Sequence, residues 1–306
     1  MHITTKKSTR ILFAPLIAFC NWLGESHPVI MVKLRYFARF KKMPDFKTPK
    51  TINEKILYMK LFTDTSEWTR LADKYKVREY VKDCGLEEFL VPLIGVWNKA
   101  EDIDFNDLPK SFIFKANNGC GKNSNLIVKD KDEINQDAVR KLIDGWLHEK
   151  HIGALAGEPQ YKGMPPCVLA EELLPFPKGQ KSLIDYKIWC FNGKAYYIWT
   201  CSDRDAQGTE VMTYDREWNP MPEVCVFDNR YRKGSLMDKP QNLDVMLDVA
   251  ERLTKGYPCV RLDLYNIDGK IYFGEMTFTS LGGMMDFYTP EFLNHCGDLI
   301  DLKYKG

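Results

Sequence analysis

The 306-residue chain is 44% apolar, 28% charged and 13% aromatic, the composition of a globular protein and not of a disordered tail. Its 43 basic and 42 acidic side chains leave a net charge of +1, without the basic excess that a nucleic-acid-coating surface needs. Nine cysteines without a CxxC pair, and five histidines without an HExxH spacing, suggest neither a disulfide framework nor a zinc site, so a reduced, cytoplasmic protein fits best.

At this length the chain has room for two lobes. In chain order, Lys6, Lys7 and Arg10 precede an apolar run from Ile11 to Gly24. That run is shorter than the ~20 residues of a spanning helix, and Pro15 and Asn21 interrupt it. The charge order suits a signal peptide, but no small-x-small cleavage motif follows. Met31–Lys42 then interleaves Lys33, Arg35, Arg39, Lys41 and Lys42 with Leu34, Tyr36, Phe37 and Phe40. Two readings stand side by side: a helical appendage packed on the body, or contact with an anionic membrane surface through residues 11–42.

Residues 43–53 are rich in turn formers and read as a linker. Helices are expected over Asn53–Phe62 and Ser66–Cys84, stopped by Gly85, with a strand over Leu90–Trp97. Phe112–Lys115 and Asn125–Val128 form a hairpin around a Gly/Asn loop, 137–150 a helix, and Val168–Leu174 a strand ending in acids. Two hairpins follow, 186–201 around Asn192-Gly193 and 260–275 around Asp268-Gly269. Between them, Leu243, Met246, Leu247, Ala250 and Leu253 lie at helical spacing. Residues 202–217, polar and containing Gly208, read as a mobile loop bordering an acceptor site. Strands and helices do not alternate strictly, so the class is α+β rather than doubly wound.

Four constellations could carry chemistry. Lys115 ends a buried strand before Asn117-Asn118-Gly119-Cys120-Gly121, whose backbone N–H groups can fold over phosphates; an ordinary flexible turn reads equally well. Arg261 and Asp263 alternate onto one strand face, with Glu275 on the partner strand. Two carboxylates and a guanidinium there make an Mg²⁺–triphosphate platform, or a surface salt bridge. Glu171-Glu172 closes a strand, where acids and backbone can meet an adenine edge. Lys74, in LADKYKVREYV, taken alone is an ordinary helical lysine.

Their joint order resembles the ATP-grasp superfamily, and most closely the TupA-like ATP-grasp family of bacterial surface-polysaccharide synthesis. The resemblance rests on TINEKILYMKL, LADKYKVREYV, FNDLPKSFIFKANNGCG, YKIWCFNGK and VRLDLYNIDGKIYFGEMTF, from Thr51 to Phe278. It implies an α+β ATP-grasp fold, two lobes with antiparallel hairpins clamping ATP, plus a helical N-terminal part. The boundaries expected are 1–50 for the appendage, 51–110 for a helical region, 111–175 for the lobe with the phosphate loop, and 176–306 for the lobe with the metal site.

The same resemblance implies the roles. Lys74 and Lys115 would touch nucleotide phosphates under a loop of Asn118, Gly119, Cys120 and Gly121. Glu171 would take the adenine side, with Glu172 beside it and Leu174 as the backbone hinge contact. Asp185 and Lys187 would form a further phosphate-side pair. Arg261 would face the transferred phosphoryl together with Lys115, and Asp263, Glu275 and Thr277 would hold Mg²⁺. Thr277 stands where most relatives have asparagine, and Asn118 and Cys120 where many TupA-like loops have histidine and serine; a thiol is a poorer donor to phosphate than a hydroxyl.

The implied reaction is ATP-dependent carboxylate–amine ligation through an acyl-phosphate, joining an amino acid or peptide to a surface polysaccharide or its precursor. The substrates would be a small-molecule or glycan-linked carboxylate and an amine. A glycosyltransferase using Asp203 and Asp205 as a DxD motif is the first rival, and a non-catalytic membrane-associated assembly module the second.

Overall fold

The computed structural model of the chain describes residues 7–119, 124–176, 182–205 and 208–306, with side chains from residue 14 onward except 205. Helices α1 (Lys7–Ser26) and α2 (Pro28–Phe40) form the N-terminal pair. Thr51 opens α3 (Ile52–Phe62) through a capping box: its hydroxyl accepts from the Glu54 N–H, and the Glu54 carboxylate accepts from the Thr51 N–H.

The expected helix over Ser66–Cys84 is broken. It divides into α4 (Ser66–Ala72) and α5 (Val77–Asp83), because the Asp73 carboxylate accepts the N–H groups of Tyr75 and Lys76 at 2.8 and 3.1 Å. An aspartate that bonds local backbone in this way competes with helix continuation.

One sheet has the order β1-β4-β2-β3 and is antiparallel throughout. Its strands are β1 (Leu93–Trp97), β2 (Phe112–Ala116), β3 (Asn125–Val128) and β4 (Val168–Glu172). β1 thus belongs to this sheet, although 51–110 reads as helical in sequence. Phe112 and Phe114 turn inward against Val139, Ile143 and Trp146 of α6 (Gln136–Leu147). By alternation, Ile113 and Lys115 face the opposite way.

The second sheet has the order β10-β9-β5-β6-β7-β8 and is antiparallel apart from the β7–β8 pair. It contains β5 (Asp185–Phe191), β6 (Lys194–Asp205), β7 (Gly208–Asp215), β8 (Tyr231–Lys233), β9 (Cys259–Ile267) and β10 (Lys270–Thr277). Asn192-Gly193 and Asp268-Gly269 have positive φ throughout, the geometry of two-residue hairpin turns. The apolar stripe of α7 (Leu243–Thr254) packs under the sheet with Ile188, Cys190, Ile198 and Leu262. α8 (Pro290–Asp298) closes against α3; a Cβ on Gly297 would come within 1.8 Å of the Lys50 carbonyl oxygen.

The described residues of 202–217 are mostly strand rather than loop. They carry the end of β6 and all of β7, with Cys201 opposite Val211 and Ser202 opposite Glu210. Val211, Met212, Thr213 and Tyr214 are all buried, so this part of β7 is covered on both faces.

Candidate active site

The face of the small sheet turned away from α6 carries Lys115 and Glu171, paired at 2.6 Å. Arg78 of α5 adds a second cation to the same carboxylate at 2.9 Å and donates to the Val91 carbonyl. The break at Asp73 turns Lys74 toward this region. Asn117 anchors that turn: it donates to Asp73 at 2.8 Å, and its backbone carbonyl accepts the Lys74 N–H. The Lys74 ammonium donates to the Gly119 carbonyl and lies 3.8 Å from Glu275, which links the two sheets.

On the large sheet, β9 and β5 place Asp263 directly opposite Lys187 and in a salt bridge with it. Arg261 holds Asp263 bidentately, at 2.7 and 2.8 Å, and reaches Ser280 at 2.9 Å, Thr277 at 3.1 Å and Glu275 at 3.5 Å. A bulge between Phe273 and Glu275 brings Glu275 opposite Asp263. Gly274 permits it, since a Cβ there would lie 2.8 Å from the Asp263 carbonyl oxygen. Asp185 stands 3.8 Å from Lys187 and 2.6 Å from Arg204.

The electrostatics keep this cluster charged. Burial disfavours the Arg261 guanidinium, but Asp263 outweighs it and holds the pKa above the ordinary arginine value. For Lys187, burial is likewise outweighed by Asp263 and Asp185, and its pKa is raised. Burial would lift the Asp263 carboxyl; Arg261 and Lys187 bring it below the usual range instead. The neighbouring Cys201 thiol is pushed up by burial to about 12, which leaves it unreactive at neutral pH.

The TupA-like ATPgrasp family matches residues 54–301. The chain belongs to that family. Its fold is the ATP-grasp fold. No curated protein matches the chain. D-alanine–D-alanine ligase from Bacillus anthracis is similar at 18% identity and a TM-score of 0.45, over 75% of this chain and 62% of its own. The same enzyme complexed with ATP is 16% identical with a TM-score of 0.45, over 76% and 65%. L-amino acid ligase from Bacillus licheniformis is 14% identical with a TM-score of 0.45, over 76% and 49%. The chain therefore spans less than two thirds of the length of each of these enzymes.

Within this ATP-grasp frame, most of the residues singled out from sequence fall into two groups. Arg261, Asp263, Glu275, Thr277, Asp185 and Lys187 form one connected network, joined through Glu275 to Lys74 and Gly119. Lys115 and Glu171 form the second group. Glu172 follows Glu171 with an exposed side chain, and Leu174 is buried with Val91, Ile267 and Tyr272. Asn118 is buried beyond β2, whereas Cys120 and Gly121 lie outside the described residues. The Arg261–Asp263 pair is a buried ion pair, not the surface bridge that the sequence left open. Asp203 has a φ of 41°, Arg204 between the two acids is committed to Asp185, and the Asp205 side chain lies outside the described residues.

Two cavities flank the network. One of about 240 Å³ is lined by Lys187, Arg204, Arg261, Trp199, Tyr231 and Phe287, among others. Trp199 stacks on Phe287 at 4.2 Å, and its buried indole N–H has no hydrogen-bond partner among the described residues. The other, of about 450 Å³, is walled by Gly24, Glu25, Pro28, Lys60, Asn118 and Glu158, among others. Lys60 donates there to the carbonyls of Ala156 and Gly282, and burial lowers its pKa to about 8. Burial raises the Glu158 carboxyl, which accepts from Thr279.

Sequence reading missed Arg78, Lys60, Glu158, Trp199, Arg204 and Ser280. Lys60 and Arg78 sit in helices where a cation looks solvent-facing. Ser280 had a signal: it lies three residues after Thr277 of Glu275-x-Thr277 and, across Leu281, before Gly282 and Gly283, both at positive φ.

Proposed function

We propose that this protein is an ATP-dependent carboxylate–amine ligase. ATP would lie between the two sheets, with Lys115, Lys74 and the turn from Asn118 on the phosphates and Glu171 and Leu174 toward the base. The observation that carries the reading is the 240 Å³ cavity beside Arg261, where Lys187, Arg204 and Arg261 meet an unpartnered indole N–H. Lys187 and Arg261, both buried, with the more exposed Arg204 and a donor N–H, form a receptor for an anion, and a substrate carboxylate is an anion of suitable size. Arg261 and Ser280 would orient that carboxylate for phosphorylation. The amine would approach from the 450 Å³ cavity, whose Asn118 and Lys60 border the phosphate turn and the Gly282 loop.

The oxygen-only donors Asp263, Glu275 and Thr277 fit Mg²⁺. No group of three or more His, Cys, Asp or Glu side chains among the described residues could hold a metal, so nucleotide oxygens would have to complete the shell. Glu275 is the freer ligand, because Asp263 is engaged by Arg261 and Lys187. When bound, the ion would neutralise phosphoryl charge. From family likeness we extend the product to an amino acid or peptide joined to a surface polysaccharide or its precursor.

The test is ADP release over panels of carboxylates and amines. Release that requires both a carboxylate and an amine, with melting raised by ATP but not by UDP-sugars, is the expected result. Stabilisation by a UDP-sugar alone would overturn it in favour of the glycosyltransferase.

A further inference from the structure

We propose that α1 and α2 form a docking surface for an anionic lipid bilayer, with the pair lying in the interface rather than crossing it. α2 is apolar on two sides. Met31, Val32 and Tyr36 are buried against the body, while Ile30, Leu34 and Phe37, at helical spacing, are about half exposed on the outer face. In α1 every residue from Ala14 to Phe19 is exposed, including Leu16, Ile17 and Phe19, and Trp22 follows at 52% exposure. A helix apolar all round is normally covered by protein or lipid.

Charge selects the occupant. Residues 1–44 hold eight of the 43 basic residues and one of the 42 acids, so they carry +7 while the rest of the chain carries −6. A near-neutral protein divided in this way is oriented by a negative surface, with the helical pair toward it and the body held away. Lys33, Lys41 and Lys42 are exposed around the outer face of α2, placed to reach headgroup phosphates while Ile30, Leu34 and Phe37 enter the acyl boundary. No helix among the described residues is long and apolar enough to cross a membrane. Gly24 holds α1 against the Ala154 carbonyl, and Gly24, Glu25 and Pro28 also wall the 450 Å³ cavity. Docking would therefore bring that cavity beside the headgroups.

The experiment is vesicle flotation of the full chain, and it reads lipid binding independently of any ligase activity. Vesicles of mixed phosphatidylglycerol and phosphatidylcholine are compared with phosphatidylcholine alone, at low and high salt. The expected result is binding to the anionic vesicles only, weakened by salt. Charge reversal by Lys33→Glu, Lys41→Glu and Lys42→Glu together should reduce it at least ~10-fold, and Leu34→Gln with Phe37→Gln should reduce it at unchanged salt dependence. Circular dichroism checks that each variant is folded, and the wild-type salt and lipid comparison stands if one is not. Equal binding to both vesicles, or to neither, overturns the proposal. So does a lipid-free dimer that Leu34→Gln with Phe37→Gln dissociates, because a second copy would then be the occupant.

Discussion

Substituting Glu275 by glutamine separates catalysis from scaffolding at the centre of the site. The side chain is 40% exposed, and its ionic contacts are long, 3.5 Å to Arg261 and 3.8 Å to Lys74. Partly solvated pairs of that kind contribute less than ~1 kcal/mol, which is a melting shift of at most about 2–4 °C in a protein of this size. Asp263 is the contrast. Its side chain is 4% exposed and it neutralises both Arg261 and Lys187, so Asp263→Asn leaves two buried cations short of a partner and should cost about 3–5 kcal/mol. If Glu275 offsets metal and phosphoryl charge, Glu275→Gln should instead lower turnover by ~10²-fold or more, about 2.7 kcal/mol of barrier, with a smaller effect on ATP affinity. ADP release and thermal melting are measured on the same Glu275→Gln protein. Full turnover with a clearly lowered melting temperature would refute the reasoning, since the carboxylate would then be a structural partner of Arg261.

Lys115→Ala should weaken ATP binding in calorimetry by at least ~2 kcal/mol, because it removes a charge-assisted partner for phosphate; unchanged affinity would take Lys115 out of the nucleotide cleft. Lys60 has a folded pKa of about 8 against an ordinary 10.5, so the unfolded chain binds more protons between those values. Stability relative to Lys60→Met should rise with pH from about 8 to 10.5 and be flat below, and parallel denaturation curves would contradict this. Gly297→Ala would force a methyl against the Lys50 carbonyl oxygen and should shift the urea midpoint by the equivalent of about 1–3 kcal/mol.

Much of the fold was legible in local chemistry. Asn192-Gly193 and Asp268-Gly269 specify two-residue turns, and the strands around them appear with the expected pairing. The 3.6-residue stripe from Leu243 to Leu253 marks one buried helix face because a helix on a sheet covers one side only. Alternation was enough to put Arg261 and Asp263 on a common face. What tertiary structure alone decided is who pairs with whom. Lys115 and Glu171 are 56 residues apart, and Lys187 and Asp263 76 apart. Such pairs exist only because particular strands became neighbours in a particular register, which no local pattern encodes. The same holds for Asp73: its backbone bonds can be foreseen, but the Asn117 that orients it lies 44 residues away, and with it the placement of Lys74. Trp199 reads as one more core aromatic. Only its position opposite Lys187 in the β5–β6 ladder brings it to the cavity beside Arg261, where its N–H has no partner among the described residues.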